Sequence, residues 1–544
     1  MWTLGINWKW HDSSAALVDD EGRVIAFSEE ERFVRRKHAW HTFPTQAVQF
    51  CLRTAGITWR DIDTVSVGWK FEHLAEDADA VLSTDAVLST LFNAEMQGRD
   101  RPKMEFVQHH LAHALSSFYA SGFERAGVLV IDGSGEVDSA TIYSADRHRG
   151  PVPLRSWDRR FSLGSMYMAA TQMMGFRQLD AGKTMGLAPY GFGEGAALPV
   201  ADFAEGRVDW RSPAVAMSAE PHFLEFVAAW AGYLKDTFGP VRAAGADLHT
   251  DPVARKVAAG AQRSVEAALT ALHRETVLLT GQEAVCLAGG VALNCVANGL
   301  LPEPVYIPPF PHDAGVALGA AWAVCPPKHP PGPLSPYLGL DLRYCPEDLA
   351  RLREAGCTVS EFEPGRAVEA LLEGRIGAVA EGRAEIGPRA LGHRSIIAVP
   401  RPASVQGTIN RLKTRERWRP FAPVTTPEYA KRLWAAQGLR ERYMIGTVKV
   451  FEDSRGILPG AVHIDGTTRP QVLGPDGCAS LRALLNTIAE AGQPPVLVNT
   501  SFNRRGEPIV NSAADAIDAF LEIGLDFLLL DGLYIERLNR LPAP

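Results

Sequence analysis

His109 and His113 stand four apart in VQHHLAHA, so on a helix both imidazoles leave one face and can grip a single ion. The spacing alone describes two packed or capping histidines equally well. Asp132 sharpens the metal reading, because it ends the apolar run VLVID, where a strand delivers a carboxylate to the rim of its sheet. Asp313, in PFPHDAG ahead of an Ala/Gly-rich run, offers a second oxygen ligand. Two imidazoles with two carboxylates suit iron, manganese or zinc and do not choose among them. His110 lies one position round the helix and points elsewhere. His11 and Asp12 follow the first apolar run in GINWKWHDSS. A histidine there can act as a general base, its ordinary pKa being about 6.5, or be a plain loop residue.

A second group of polar motifs begins at residue 381. Arg389 and Arg394 flank a glycine-rich turn in EIGPRALGHRS, Lys413, Arg415 and Arg419 punctuate KTRERWRPFAP, and Asn499, Ser501 and Arg504 fall in NTSFNRRGEPIV. Lys413 and Arg415, two apart, are expected to share one face of an extended segment. Fixed cations around glycine turns make a pocket for phosphate or carboxylate, with arginine giving bidentate contacts. A solvated basic face is the alternative; Trp418, Pro420, Phe421 and Pro423 count against it by interrupting the charges as a pocket wall would. Lys183, in the Gly-flanked loop AGKTMGLAPYG, suits an anionic phosphate unless it simply faces solvent. Gly133 and Gly135 of DGSG, and Gly289 and Gly290 with Asn294 of AGGVALN, would let the backbone approach a nucleotide closely.

These residues need elements to position them. MWTLGINW and SAALVDDEGRVIAFSEE read as strands joined by an Asp-Asp-Glu-Gly turn, and AGVLVIDGSGEVDSATIYSA repeats the order of apolar strand, small polar loop and strand. Between them PTQAVQFCLRTAG is helical and stops at glycine. AVCLAGGVALNCVANGLL reads as a buried strand, a Gly-Gly turn and a helix. Two facing loop-bearing strands and a third Gly-rich turn form the pattern of the actin-like ATPase fold. Residues 192–275 read as helical and polar, without a chemical motif. The proline-rich CPPKHPPGPLSPYLG is an extended connector. The expected organisation is therefore a domain over 1–325, a linker over 326–340 and a second α/β domain over 341–544.

The 544 residues are too many for one core. A formal net charge of −8 excludes broad phosphate-backbone binding, so no nucleic-acid partner is expected. The chain opens on a strand-like run, and no segment reaches eighteen uninterrupted apolar residues. No membrane partner and a cytoplasmic location are the corresponding expectations. The seven cysteines are scattered without a CxxC pair and none lies in a motif with histidine. Neither a thiolate zinc site nor cysteine nucleophilic catalysis is indicated.

Taken together, HDSSAAL, EEERFVRRKH, VQHHLAHA, VLVIDGSGE, GKTMGLAPYG, GGVALN, PHDAG, EIGPRALGHRS, KTRERWRPFAP and NTSFNRRGEPIV resemble the nodulation-protein and antibiotic O-carbamoyltransferase family over nearly the whole chain. The resemblance implies an actin-like (ASKHA-type), TsaD-like N-terminal domain followed by a YrdC-like α/β C-terminal domain. It implies that the second domain combines carbamoyl phosphate with ATP, as the Mg²⁺ complex, into carbamoyladenylate and releases pyrophosphate. The first would then move the carbamoyl group to a hydroxyl of a small-molecule natural product, as in antibiotic biosynthesis, and release AMP. Carried over residue by residue, His109, His113, Asp132 and Asp313 become an Fe²⁺-type site, with His11 the base and Asp12 beside it. Lys37 of RRKH becomes a phosphate or acceptor contact, and Arg389, Arg394, Lys413, Arg415, Arg419, Asn499, Ser501 and Arg504 line the carbamoyl phosphate and ATP pocket.

Carbamoylation of a tRNA or protein uses the same kinds of domain; the acidic chain and the lack of acylphosphatase-like or zinc-finger segments count against it. A non-catalytic nucleotide and metal sensor would have no need of the second anion pocket. Trp8, Trp10, Trp40, Phe43 and Trp69 crowd the first loop region, which suggests an acceptor with an apolar or ring-shaped body, or else plain packing.

Overall fold

The computed structural model describes residues 1–71, 83–96, 101–194, 198, 201–204, 207–214, 216–218, 222–329, 332–435 and 438–537. Met1–Val34 and His38–Leu334 form one compact unit, and Ser335–Pro544 form a second together with Arg35–Lys37. The division falls at 334/335, inside the proline-rich stretch. The assignment of residues 35–37 to the second unit has no signature in the sequence.

The first unit contains two five-stranded sheets. One is built from β1 (Thr3–Asn7), β2 (Ser14–Val18), β3 (Val24–Glu29), β4 (Thr64–Val67) and β5 (Lys103–Phe106), in the order β3-β2-β1-β4-β5. β1, β2 and β3 pair antiparallel, and β4 and β5 add in parallel. The other comprises β6 (Arg125–Ile131), β7 (Asp138–Asp146), β8 (Gly150–Asp158), β9 (Val285–Ala288) and β10 (Val305–Tyr306). Its three antiparallel strands and two parallel additions repeat the same order. This duplicated topology makes the unit actin-like. Every residue of β1, β2 and β4 is buried, as parallel and central strands covered on both faces require.

Two helices fix the parts of the first site. α1 (His109–Ser121) follows β5, and α2 (Ala314–Val324) begins one residue after Asp313. α2 is Ala- and Gly-rich on all sides and buried over nearly its whole length, so it is a core helix rather than an amphipathic one. At Gly319 a methyl group would sit 1.7 Å from the Ala112 carbonyl oxygen of α1. Only glycine lets the two helices cross this closely, and the crossing sets Asp313 beside the histidines. Residues 192–275 hold the expected helices, Phe223–Phe238 and most of Pro252–Thr280, and also two antiparallel strands, Ala201–Ala204 with Arg207–Trp210, that the polar composition did not suggest.

The second unit is built on one mixed eight-stranded sheet of β11 (Cys357–Glu361), β12 (Gly377–Ala380), β13 (Arg394–Ala398), β14 (Ala422–Thr425), β15 (Gln471–Val472), β16 (Val496–Ser501), β17 (Phe527–Leu530) and β18 (Leu533–Arg537). Their order is β11-β18-β17-β12-β13-β16-β14-β15. Separate apolar clusters cover its faces, one around Ile396, Phe421, Val498 and Phe520, the other around Ile397, Val424, Leu484 and Leu497. Alternate residues of β13 and β16 thus serve opposite layers. Lys413 caps the helix α3 (Val405–Leu412), and Thr414 has φ 50°, so the Lys413–Arg415 segment is a left-handed turn and not the extended run expected from its spacing.

Candidate metal and anion sites

In the first unit the structure brings His109, His113, Asp132 and Asp313 together, with one donor atom of each within 4.8 Å of all the others. His109 Nε2 lies 3.2 Å from Asp132 Oδ2 and 3.7 Å from Asp313 Oδ1; His113 Nε2 lies 3.3 and 3.6 Å from the same atoms. Both imidazoles are fully buried. His109 Nδ1 donates to the Gly68 carbonyl at 3.2 Å, which turns its Nε2 towards the cluster. Trp69 stacks on the same ring at 3.8 Å. The Glu136 carboxylate receives the His109 backbone N–H at 2.9 Å and so closes the open N-terminus of α1.

Asp132 divides its oxygens. Oδ1 accepts the backbone N–H groups of Gly133 at 2.7 Å and Gly290 at 3.0 Å, while Oδ2 faces the imidazoles. Two of the glycines expected at a nucleotide therefore orient this carboxylate of the cluster. Gly289 has φ 93°, and a methyl group there would lie 2.1 Å from the Ile131 carbonyl oxygen, so the turn packs directly against the end of β6. Gly135 abuts the His110 ring. His110 Nδ1 is engaged with Thr141 Oγ1 at 2.7 Å and takes no part in the cluster.

The carboxylates set the protonation of the metal-free site. Burial by itself would lower the pKa of His113, but hydrogen bonds and charge from Asp132 and Asp313 outweigh it and raise the value to about 9. His11 follows the same pattern: burial opposes, Asp313, Asp12 and Asp132 prevail, and the pKa rises to about 9. Burial would raise Asp132, yet hydrogen bonds from His109 and His113 hold it well below the carboxylate range. His11 Nδ1 lies 3.0 Å from Asp12 Oδ2 and 3.8 Å from Asp313 Oδ2, which places it at the edge of the cluster. This His₂Asp₂ set, anionic and pre-oriented, fits a divalent first-row metal.

Two expected nucleotide contacts of this unit are otherwise engaged. Lys183 stands on the helix Ala181–Leu187, not in a loop, and pairs with Asp180 at 3.1 Å. Asn294 caps the next helix through Ala297 N–H and exchanges two side-chain hydrogen bonds with Gln262. Its carbonyl oxygen thus accepts twice and its NH₂ donates once within the protein.

In the second unit Lys413 is buried, and its ammonium donates to the Ser501 carbonyl, to Asn503 Oδ1 at 3.1 Å and to the Asn503 carbonyl at 3.3 Å. No carboxylate pairs with it among the described residues. Burial first, then Arg415, Arg419 and Lys37, push its pKa well below that of a free lysine. Lys37 thus belongs with the cations of the second unit, as part of the Arg35–Lys37 tripeptide whose flanking residues lie in the first. Arg415 lies over Phe421, 4.9 Å from guanidinium carbon to ring centre, and its Nε is buried without a hydrogen-bond partner. Arg419, 3.6 Å from Glu416, adds a further cation, and Arg469 another that no sequence cue marked. Like charges gathered in a partly buried place are a receptor for an anion.

Asn499 lies within β16; its Nδ2 donates to Gln471 at 2.6 Å and to the Ala390 carbonyl at 3.1 Å, while its buried Oδ1 has no partner among the described residues. Ser501 ends the same strand and donates to Asn503 at 2.6 Å. Arg389 is half-buried on the glycine-rich turn. Two expected ligands have other employment. Arg394 is fully buried, and its guanidinium is spent on the carbonyls of Glu381, Gly382, His393, Leu340 and Asn511, so it ties the turn together instead of facing a ligand. Arg504 is neutralised by Glu507 and Glu522. Sequence reading also missed His38, which shares Asp12 with His11 at 2.8 Å.

An actin-like unit with a buried His₂Asp₂ cluster, joined to an α/β unit with a cluster of cations, is the architecture these sites define. The chain belongs to the carbamoyltransferase family. Residues 2–73 and 80–322 match the family's "Carbamoyltransferase N-terminus", and residues 368–537 its "Carbamoyltransferase C-terminus". The nodulation protein NolNO of Sinorhizobium fredii is 32% identical across 98% of this chain and 80% of its own length. NolO of Bradyrhizobium diazoefficiens is 32% identical across 79% of each chain. Among solved structures, full-length HypF in a phosphate- and nucleotide-bound form aligns over 34% of this chain and 23% of its own at 18% identity, with a TM-score of 0.23. No helix among the described residues is long and apolar enough to cross a membrane.

Proposed function

We propose that this carbamoyltransferase is ATP-dependent and carbamoylates a hydroxyl of a small molecule through carbamoyladenylate. The observation that carries the reading is the Lys413–Arg415–Arg419 cluster, a set of cations collected in the C-terminal unit around a buried lysine that has no carboxylate partner among the described residues. A triphosphate and carbamoyl phosphate are the anions that such a cluster would hold. Carbamoyladenylate contains one phosphorus, so atom balance requires one water to take up the phosphoryl group of carbamoyl phosphate as inorganic phosphate, leaving carbamate, whose oxygen bonds the α-phosphorus of ATP as pyrophosphate leaves. In the transfer half, His11 in its neutral form takes the proton of the acceptor O–H, the acceptor oxygen bonds the carbamoyl carbon, and the mixed-anhydride bond from that carbon to the AMP phosphate oxygen breaks to release AMP.

His109, His113, Asp132 and Asp313 would hold the metal, which supplies Lewis-acid polarisation of an oxygen when bound. Asp12 keeps the His11 imidazole oriented and favours its protonated form as the acceptor's proton arrives. Trp40, 37% exposed and edge-on to His11 at 5.2 Å, is the aromatic surface placed to meet the body of an acceptor. Trp8 and Trp69 are buried by packing instead. The test is a supply of ATP, Mg²⁺ and carbamoyl phosphate to the purified protein. Pyrophosphate and phosphate should appear in equal amounts, followed by AMP; formation of neither pyrophosphate nor AMP sinks the proposal. A mass-spectrometric screen of hydroxylated natural products then identifies the acceptor, and carbamoyl transfer to a macromolecule alone would replace the acceptor class.

A further inference from the structure

His38 lies 26 residues beyond Asp12 in sequence and meets it twice. Its Nδ1 is 2.8 Å from Asp12 Oδ1, and its carbonyl accepts the Asp12 backbone N–H at 2.7 Å. The other Asp12 oxygen, Oδ2, lies 3.0 Å from His11 Nδ1. One carboxylate therefore bridges two imidazoles. An ionised carboxylate only accepts, so both Nδ1 atoms must donate, and in its neutral form His11 is left with an unprotonated Nε2.

The frame around this bridge is over-determined. His38 has φ 66° and Asp12 φ 53°, both in the left-handed region that non-glycine residues seldom adopt. The His38 backbone N–H is held by Glu31 Oε2 at 2.6 Å, and Asn7 Nδ2 donates to the carbonyls of both His11 and Asp12. Local propensity does not favour such a loop; the hydrogen bonds impose it.

We propose that His38 is a positioning residue for carbamoyl transfer, holding Asp12 Oδ1 so that Oδ2 stays fixed on His11 and the His11 Nε2 lone pair is presented to the acceptor hydroxyl. With His38 removed, one carboxylate oxygen loses its donor and Asp12 gains freedom to rotate away from His11. This inference rests on the transfer reaction proposed above. Asp12, Glu31 and His38 also offer donor atoms within 4.8 Å of one another. Their atoms are engaged in the hydrogen bonds just given, which favours the bridge over a second cation.

The test uses the full-length protein with ATP, Mg²⁺, carbamoyl phosphate and glycerol as a probe hydroxyl, measuring pyrophosphate and AMP separately. His38→Ala should lower kcat for AMP release about 10- to 100-fold, the usual effect of losing a partner that orients an active group. Pyrophosphate formation and the KM values for ATP and carbamoyl phosphate should be unchanged. His38→Asn, which keeps an N–H donor where Nδ1 stood, should recover most of the rate. Unchanged AMP release in His38→Ala overturns the proposal, as does a loss that His38→Asn fails to restore. A second bound metal equivalent, present in the wild type and absent from His38→Ala, overturns it in favour of a cation site. If the wild type forms no pyrophosphate or no AMP, the transfer reading fails instead. The bridge is then judged by the His11 Nδ1–H resonance of ¹⁵N-histidine-labelled protein: an upfield shift in His38→Ala supports it, and an unmoved resonance overturns it.

Discussion

Metal binding to this protein should release protons, and its affinity should climb with pH to about 9. His113 must be unprotonated to ligate, yet in the metal-free site its pKa is raised to about 9, where burial is outweighed by Asp132 and Asp313. Removing that proton at pH 7 costs about 2.7 kcal/mol at about 1.36 kcal/mol per pH unit, roughly a hundredfold in apparent affinity. The sign follows from the raised pKa: metal competes with protons below 9 and is free of them above. His11 adds to the effect, because its pKa, also about 9, is raised by Asp313 and Asp132, whose charge a bound cation would neutralise. Chelator-stripped protein titrated calorimetrically with Zn²⁺, in two buffers of different ionisation enthalpy at pH 7, should release between one and two protons per ion. Its apparent affinity should rise about tenfold to a hundredfold per pH unit from 7 towards 9 and then level. His113→Ala should abolish both the tight phase and the proton release. A wild-type affinity flat from pH 7 to 9, with no proton released, would refute a metal held by His113.

Lys413→Met should cut the rate of pyrophosphate formation at least about a hundredfold, the scale of removing one charge-stabilising donor. The same substitution should leave the unliganded protein no less heat-stable, because it relieves repulsion from Arg415, Arg419 and Lys37; a large fall in the melting temperature would contradict that reading. Gly319→Val should destabilise the first unit by about 3 kcal/mol or more and abolish metal binding, since its side chain would collide with the Ala112 carbonyl 1.7 Å from the added Cβ; calorimetry and metal analysis of the variant decide this. Buried His110, its pKa lowered to about 3 chiefly by burial and then by His109, contributes stability that is present above about 6.5 and is lost as pH falls towards 3. The loss should be about 1.4 kcal/mol per unit below 6.5, and His110→Gln should flatten that part of the stability curve measured by denaturant melts.

Much of the first site was legible in the chain because its information is local. A four-residue spacing fixes two imidazoles on one helical face whatever surrounds the helix, and an apolar strand ending in aspartate puts a carboxylate at a sheet rim. Duplication of the strand–loop–strand order likewise announced the paired sheets. Side-chain employment was not local. Asn294 and Arg394 occupy motif positions that suit a ligand, but Gln262 and a ring of backbone carbonyls claim them first. Nothing in AGGVALN or GHRS specifies those partners, which come from distant segments. Lys183 and Arg504 were expected at anions and met Asp180, Glu507 and Glu522 instead.

By itself the sequence determined which residue types are available, their periodicity, and hence the two α/β units and the identity of the four clustered imidazole and carboxylate side chains. Tertiary structure decided the remainder, because charge and hydrogen-bond capacity are finite and are assigned by proximity in space. It brought Asp313 within reach of His109 through a helix crossing that only Gly319 permits. It placed Lys37 among the cations of the second unit and left Lys413 without a carboxylate partner among the described residues. It also gave Asp12 two imidazoles to hold, His11 beside it and His38 far along the chain.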